Sequence, residues 1–230
     1  MIDSKKKVAI ILAAGKSARF GDIDKMLYQI DSQAVVTMSV RTFFDSNLFD
    51  KIVVVTNESN FNEILQLMTN ISKEIEVIKG GDRRQDSVKS ALNFLGDAYD
   101  HLAIHDGARP FVSELMIHKG LELLKDFDSA IPGYPITDTI KLVEDEIVIK
   151  NIDRQKLFLV QTPQFFLYKK MFLAYQNFEN EVTDDASLFE YFGYTVTVFQ
   201  GEKMNWKLTN ENDLVIFEKF YDMKLEKQYD

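Results

Sequence analysis

The sequence "VAIILAAGKSARFG" at Val8–Gly21 begins as a continuous apolar run and gives way to a loop of small residues. An apolar run without alternation predicts a strand that is buried on both faces. The small residues Ala13, Ala14 and Gly15 let the backbone approach a ligand closely, and successive N–H groups in such a loop form an anion-binding nest. The stretch therefore predicts a buried strand that leads into a phosphate-binding loop.

The loop matches neither of the two common phosphate motifs. A P-loop needs a glycine five residues before Gly15, where this chain has Ile10, and the dinucleotide fingerprint needs glycines at Ser17 and Phe20. The loop nevertheless carries three basic residues within ten positions: Lys16, Arg19 and Lys25. We expect a triphosphate as its occupant, whereas the alternative is a solvated basic loop.

Composition excludes several classes of function. The 230 residues carry a net charge of −9, which argues against a general binder of nucleic acid or membrane surfaces, because both are anionic. There is no cysteine, so disulfides, thiolate nucleophiles and cysteine metal sites are excluded. No segment approaches the roughly 20 apolar residues of a membrane helix, and the short apolar run near the N-terminus lacks a cleavage site. We expect a cytoplasmic protein.

Short β-branched runs alternate with segments of helical period, which predicts an α/β fold of one domain over residues 1–230. The predicted strands are Val8–Leu12, Lys51–Thr56, Ile75–Lys79, Leu102–His105, Ser129–Ile131, Leu157–Gln161 and Thr195–Phe199. The predicted helices are Ala34–Asp45, Phe61–Thr69, Asp86–Leu95, Ser113–Lys125, Lys169–Phe178, Asp184–Tyr191 and Glu211–Lys224. This order favours a mainly parallel twisted sheet, buried on both faces under helices.

One segment breaks the alternation. Asp138–Asp153 reads as two alternating strands around a charged turn at Glu144–Glu146. Such a hairpin does not fit inside a parallel sheet. It is either an arm that reaches a partner or a flap on its own subunit.

Glycines locate the site. They follow the first, third and fourth predicted strands: Gly15, Gly21, Gly80, Gly81 and Gly107. Ligands of open α/β sheets bind beyond the carboxyl ends of the strands, so these loops predict one shared site.

The second of these loops is "GGDRRQDSV" at Gly80–Val88. Asp86 or Ser87 is a candidate helix cap, and Arg84 or Ser87 is placed to reach a base or ribose. The alternative is a plain strand–turn–helix capped by Asp82, which leaves the paired glycines unexplained.

The third loop is "HDGARP" at His105–Pro110. Asp106 at the end of a strand is a candidate ligand of Mg²⁺, which uses one or two carboxylates together with phosphate oxygens. Arg109 is a candidate bidentate phosphate ligand. Otherwise Asp106 is a helix cap and Arg109 belongs to a structural ion pair.

Lys207 falls in "NWKLT", a short alternating segment that we predict to be a strand, where a lysine is more often a solvated residue. The three histidines are scattered and there is no GxSxG elbow, so zinc and serine-nucleophile chemistry find no support. Phosphoryl and nucleotidyl transfers remain, because they depend on positioning and charge neutralisation rather than on a covalent catalyst.

Seven motifs occur in the order found in the IspD-type cytidylyltransferases, and together they resemble that family over residues 8–220. They are "LAAGKSARF", "GGDRRQDSV", "HDGARP", "DTIK", "VQTPQ", "TDDAS" and "NWKLT". The resemblance implies transfer of a cytidylyl group from CTP to 2-C-methyl-D-erythritol 4-phosphate. It also implies a Rossmann-like nucleotidyltransferase fold, Mg²⁺, and a homodimer clasped by the β-arm.

The resemblance also assigns roles to residues. The nucleotide ligands it implies are Ala13, Ala14, Gly15, Ser17, Gly80, Arg84 and Ser87. The charges it implies for catalysis belong to Arg19, Lys25, Arg154 and Lys207, of which Arg154 acts in the neighbouring subunit's site. The sugar-phosphate ligands it implies are Asp106, Arg109, Thr139 and Thr162, with Asp106 also beside the metal and Thr139, like Arg154, in the neighbouring subunit's site. Two other activities stay open: a cytidylyltransferase for ribitol 5-phosphate or another alditol phosphate, and an inactive nucleotide-binding regulator.

Overall fold

The computed structural model describes residues 5–15 and 24–226, with side chains described up to residue 222. Its strands are β1 (Lys7–Ala13), β2 (Gln29–Ile30), β3 (Gln33–Ala34), β4 (Lys51–Thr56), β5 (Glu76–Lys79), β6 (His101–Asp106), β7 (Ser129–Pro135), β8 (Ile140–Glu144), β9 (Ile147–Ile152), β10 (Phe158–Val160), β11 (Gln164–Leu167) and β12 (Val196–Gln200). Its α-helices are α1 (Val35–Asp45), α2 (Phe61–Ile71), α3 (Arg84–Leu95), α4 (Glu114–Leu123), α5 (Tyr168–Gln176), α6 (Asp185–Tyr191) and α7 (Asn212–Glu226), and a short 3₁₀ helix spans Arg154–Lys156.

The central sheet is mainly parallel, as predicted. Strands β5, β4, β1 and β6 pair in that order and run parallel, and β12 runs parallel to β7 at the other edge. Strand β11 joins the two halves, since it pairs antiparallel with both β6 and β7. Strand β10 pairs antiparallel with the far end of β7.

The buried strand β1 separates two apolar layers. Ala9, Ile11 and Ala13 point into a core shared with α1, α2, α4 and α7, whereas the alternate residues Val8, Ile10 and Leu12 pack with α3, α5 and α6. Each fully buried Val, Leu or Ile side chain contributes roughly 1.5–3 kcal/mol to folding. The apolar run of the opening stretch is therefore satisfied only when helices cover both faces of the sheet.

The second half of the chain differs from the sequence analysis at two strands. The predicted buried strand Leu157–Gln161 is β10, whose three residues are 40–59% exposed. It pairs with Gly133–Pro135, where burial of β7 gives way to exposure. The central strand β11 was not predicted, because four residues are too few to show a period.

The segment that breaks the alternation forms a separate antiparallel hairpin of β8 and β9. Its two strands are almost wholly exposed. In the described part of the chain, no helix is both long and apolar enough to cross a bilayer.

Candidate active site

A cavity of about 180 Å³ opens at the carboxyl ends of β1 and β6. The two strands end side by side because Leu12 pairs with Asp106 in register. Small residues form part of the wall: Ala14, Gly15, Gly81 and Ser87. Charged residues face it from four segments of the chain: Lys25, Asp82, Arg83, Arg84, Asp106 and Lys207. The shared edge predicted from the glycines is where the structure places this cavity.

Asp106 is the centre of the charge arrangement. Its Oδ2 accepts from Lys207 Nζ at 2.8 Å, and its Oδ1 lies 3.4 Å from Arg84 Nε. Burial alone would raise the pKa of Asp106, but Arg84, Lys207 and Arg109 outweigh it and hold that pKa well below its usual range. The carboxylate is therefore ionised, and residues 84, 106 and 207 meet although they are far apart in the sequence.

Arg84 bridges two carboxylates. Its Nη2 lies 2.7 Å from Oδ2 of Asp185, which is completely buried. Burial alone would lower the pKa of Arg84, but Asp185 and Asp106 outweigh it and raise that pKa. The sequence offered no sign of this pairing beyond the position of Asp185 in "TDDAS".

The turn from β5 to α3 is held by close packing. A Cβ on Gly80 would lie 2.4 Å from Ser87 Oγ and 3.0 Å from Ala14 Cβ, so only glycine lets these three segments approach. Ser87 Oγ accepts from the Gly81 N–H at 3.2 Å. Asp86 accepts from the Arg83 N–H, and α3 begins at Arg84, two residues before the predicted start.

A buried histidine fixes the end of β6. Burial lowers the pKa of His105 to about 4, so its ring is neutral at neutral pH. Its Nε2 lies 3.1 Å from the Arg109 carbonyl, which only accepts, so the ring proton sits on Nε2. Nδ1 therefore accepts from the Thr162 hydroxyl at 3.2 Å, and that hydroxyl in turn accepts from the Asp106 N–H at 3.0 Å. Thr162, predicted to bind substrate, is here committed to positioning Asp106.

Arg109 lies behind the cavity wall. Its Nη1 donates to the Asn205 carbonyl at 2.8 Å, while its buried Nε lies 3.8 Å from Asp106 Oδ2, beyond hydrogen-bond reach. Burial lowers the pKa of Arg109, and Arg84 adds to that effect. The positive charge of Arg109 is only partly balanced by Asp106, so a bound anion would stabilise it.

The segment that carries Lys207 is not a strand, so that prediction was wrong. Its backbone is taken up by other partners: Leu208 N–H donates to the Ala108 carbonyl, and the Asn205 carbonyl accepts from Arg109. Gln161 braces the same segment through the backbone of Glu202. Lys207 thus reaches Asp106 from an irregular loop after β12.

The remaining predicted residues fall into three groups. Thr139 and Arg154 lie at the base of the hairpin, where Arg154 Nη1 donates to the Thr137 carbonyl, and neither lines the cavity of its own chain. Ser17 and Arg19, like Lys16, lie outside the described residues. Ala13 is buried at the end of β1, next to the cavity.

The charge pattern suits an anionic ligand. Four basic side chains face the carboxylates of Asp106 and the exposed Asp82 across a cavity that is lined in part by small residues. Among the described residues, no group of three His, Asp or Glu side chains is arranged to hold a metal by itself. A divalent ion at Asp106 would therefore need further oxygen ligands from a bound phosphate.

Comparison with known proteins gives consistent matches. The family model described as "2-C-methyl-D-erythritol 4-phosphate cytidylyltransferase" matches residues 7–222. The curated enzyme of that name from Dictyoglomus thermophilum is 38% identical over 226 residues, which cover 93% of this chain and 96% of that protein. The enzyme of the same name from Clostridium tetani is 36% identical, covering 94% and 90%.

Solved structures match over the whole fold. The 4-diphosphocytidyl-2C-methyl-D-erythritol synthase of Anaerococcus prevotii superposes with a TM-score of 0.85 at 28% identity, covering 96% of this chain and 98% of that one. The 2-C-methyl-D-erythritol 4-phosphate cytidylyltransferase of Francisella tularensis superposes with a TM-score of 0.78 at 32% identity, covering 92% and 98%.

Proposed function

This chain belongs to the 2-C-methyl-D-erythritol 4-phosphate cytidylyltransferase family, and from that membership we propose how its cavity carries out the reaction. It is a cytidylyltransferase that transfers the cytidylyl group of CTP to 2-C-methyl-D-erythritol 4-phosphate, in the non-mevalonate isoprenoid pathway. The family resemblance and the Rossmann-like nucleotidyltransferase fold predicted from the sequence are confirmed.

The reaction is a single displacement at phosphorus. An oxygen of the sugar phosphate attacks the α-phosphorus of CTP and forms a new P–O bond, while the bond to the bridging oxygen of the β-phosphate breaks. The bonding electrons leave with pyrophosphate, so no redox partner is needed. The main obstacle is repulsion between two highly charged anions, and positioned cations reduce it.

The observation that carries the proposal is the convergence of Lys207 and Arg84 on Asp106 at the cavity. Lys207 and Lys25, which lies on a different loop, face the space where a triphosphate tail would lie. Each well-aimed charge contributes on the order of 2–4 kcal/mol to the transition state, by analogy with single oxyanion donors. Arg19, outside the described residues, keeps its predicted role in the same loop.

Residues at the wall of the same cavity would bind the nucleotide. The backbone of Ala13–Gly15 would cradle the phosphates, as predicted from the opening stretch. Gly80, Arg84 and Ser87 would contact cytosine and ribose, since their turn is packed against Ala14.

Asp106 suits a Mg²⁺ ion shared with the nucleotide. A carboxylate offers about four lone-pair positions, and the two basic neighbours of Asp106 occupy two of them. When bound, the ion would neutralise charge on the phosphates. Asp106, Arg109 and Thr162 would hold the sugar phosphate or position its ligands.

The hairpin supports a homodimer. Apolar side chains on β8, β9 and β10 are exposed, among them Ile147 at 67%, Leu159 at 59% and Val148 at 57%. Exposed apolar surface of this extent is typical of an interface. Thr139 and Arg154 would then enter the site of the neighbouring subunit, which explains why they do not line their own.

A cytoplasmic location is also part of the proposal. Both substrates are multiply charged phosphate esters, which do not cross a bilayer unaided, so the enzyme must share their compartment. Fractionation of cells that express the tagged chain tests this, and recovery outside the cytoplasm would contradict it.

A pyrophosphate-release assay tests the proposed function. We expect release when CTP and 2-C-methyl-D-erythritol 4-phosphate are both present, and its loss when EDTA removes Mg²⁺. If pyrophosphate is released from CTP only with ribitol 5-phosphate and not with 2-C-methyl-D-erythritol 4-phosphate, the chain has the other cytidylyltransferase activity. No release with either sugar phosphate would identify a nucleotide-binding protein without activity.

A further inference from the structure

Asp185 is a buried carboxylate that does not line the active-site cavity. It stands in the first turn of α6 with no exposed surface, and its Oδ2 lies 2.7 Å from Arg84 Nη2. Its Oδ1 accepts from the Tyr175 hydroxyl at 2.6 Å. A buried charge is tolerated only when it is paired and hydrogen-bonded, and Asp185 has both kinds of partner.

The two carboxylates that flank Arg84 differ in accessibility. Asp106 faces the cavity and shares its oxygens between Arg84 and Lys207, so a substrate hydroxyl or a metal ion can replace these cations as the partner of Asp106. Asp185 lies on the other side of the guanidinium and is sealed from the cavity. Arg84 therefore has one partner that can be displaced and one that cannot.

Tyr175 keeps Asp185 in one orientation. Burial, and the carboxylate of Asp185, raise the pKa of Tyr175 well above its usual value, so the phenol stays protonated and donates. Tyr175 is itself only 4% exposed, on α5.

A second contact ties the same elements together. The Gln85 side chain donates to the Asn180 carbonyl at 2.9 Å and accepts from the Val182 N–H at 3.1 Å. Gln85 is the neighbour of Arg84 in α3, and residues 180–182 lead into α6. The loop that leads into α6, where Asp185 stands, is thus fastened to the helix turn that carries Arg84.

We propose that Asp185, oriented by Tyr175, is a positioning residue. It holds the Arg84 guanidinium at the cavity wall when the Asp106 carboxylate binds substrate or a metal ion instead of Arg84. This inference rests on the proposed function, since it assigns Arg84 to the bound nucleotide. It predicts that Asp185 acts on catalysis only through Arg84.

A double-mutant cycle tests that dependence. We expect Asp185→Asn to lower kcat/KM by about 10–100-fold, as removal of such outer partners does at other sites, mainly through a higher KM for CTP. In the Arg84→Ala background, the same substitution should cause no further loss of kcat/KM. Additive losses in the two backgrounds would overturn the proposal, because they would show that Asp185 acts independently of Arg84.

Tyr175→Phe is the milder variant, since it keeps the carboxylate paired and removes one hydrogen bond. We expect a decrease in kcat/KM of roughly threefold to tenfold, again absent when Arg84 is alanine. Unchanged kcat/KM for both Asp185→Asn and Tyr175→Phe would also overturn the proposal.

Asp184→Ala is the matched control. Asp184 caps the same helix by accepting from the Ser187 N–H and also accepts from the Gln164 side chain, but among the described residues no hydrogen bond or ion pair joins it to Arg84. Asp184→Ala should lower the melting temperature, and by the same amount in the wild-type and Arg84→Ala backgrounds. Titration calorimetry measures the affinity for CTP, to which Arg84 contributes, without turnover. Weaker CTP binding by Asp185→Asn therefore supports the positioning role even if the sugar substrate is another alditol phosphate.

Discussion

At the scale of single residues, the site depends on one carboxylate shared among cations. Asp106 binds Lys207 and Arg84 directly, and Arg109 lies just beyond hydrogen-bond reach. These contacts hold the basic side chains near one another in the absence of phosphate. The arrangement suits a ligand that brings its own negative charge.

The contribution of Lys207 can be measured directly. Lys207→Met keeps the length of the side chain and removes the charge, so we expect kcat to fall at least tenfold with the fold intact. Lys203→Met, an exposed position in the same loop, is the control and should leave kcat near the wild-type value. Near-normal turnover of the Lys207 variant would contradict its assignment.

His105 predicts how stability depends on pH. Its pKa is about 4 in the folded chain and about 6.5 when unfolded, so below pH 6.5 the unfolded chain binds more protons. Stability should therefore fall by about 3 kcal/mol as the pH drops from 6.5 to 4. Below about pH 4 the depressed pKa of Asp106 adds a further loss as that carboxylate becomes protonated.

Denaturant titrations across this pH range check the prediction. His105→Gln should flatten the change in unfolding free energy between pH 6.5 and 4, because no buried imidazole remains to be charged. His118→Gln changes an exposed histidine and should leave the wild-type slope. An equal slope in wild type and His105→Gln would show that another group causes the loss.

At the scale of elements, α4 packs on β11 through a glycine. A Cβ on Gly120 would lie 2.0 Å from the ring of Phe165, which is completely buried. Glycine costs a helix interior roughly 1 kcal/mol relative to alanine. Here the close approach of the central strand outweighs that cost.

Gly120→Ala should therefore destabilise the protein although it favours the helix. We expect a net loss of about 1–3 kcal/mol from overpacking, measured by thermal or urea unfolding. Glu122→Ala in the same helix is exposed and should change stability by less than about 0.5 kcal/mol. A stabilised Gly120→Ala would show that α4 and β11 are farther apart than described.

At the scale of the whole molecule, the hairpin and β10 leave apolar residues uncovered, among them Val148, Ile149 and Leu159. Arg154 and Thr139 sit at the base of this surface, away from their own cavity. A second copy of the chain would cover the surface and bring these residues to a site.

Mixing two inactive variants tests this arrangement. If Arg154 serves the neighbouring subunit, Arg154→Ala and Lys207→Met each inactivate homodimers, but a mixed dimer contains one site free of both changes. Unfolding and refolding the two together should therefore regain activity that neither has alone. Mixtures that stay inactive, or a monomeric mass by light scattering, would contradict the shared site.

Local sequence pattern was enough to predict the strands, the sheet type and the edge where ligands bind. The apolar run Val8–Leu12, the strand Lys51–Thr56 and the glycines after the strands identified a helix-covered parallel sheet and the edge where ligands bind, because burial on both faces requires continuous apolar residues. The order of the motifs identified the family. The residues predicted in this way that line the cavity include Asp106, Arg84 and Lys207.

The packing of the whole chain was needed to show which of these residues meet and which other residues hold them in place. The short strand β11 lies between β6 and β7, and Asp185 lies against Arg84, because these contacts join segments that are distant in the chain. For the same reason, the Thr162 hydroxyl bonds to His105, and Lys207 lies in an irregular loop and not in the predicted strand. Local pattern follows from the burial of neighbouring residues, whereas pairing of charges and hydroxyls follows from how the whole chain packs.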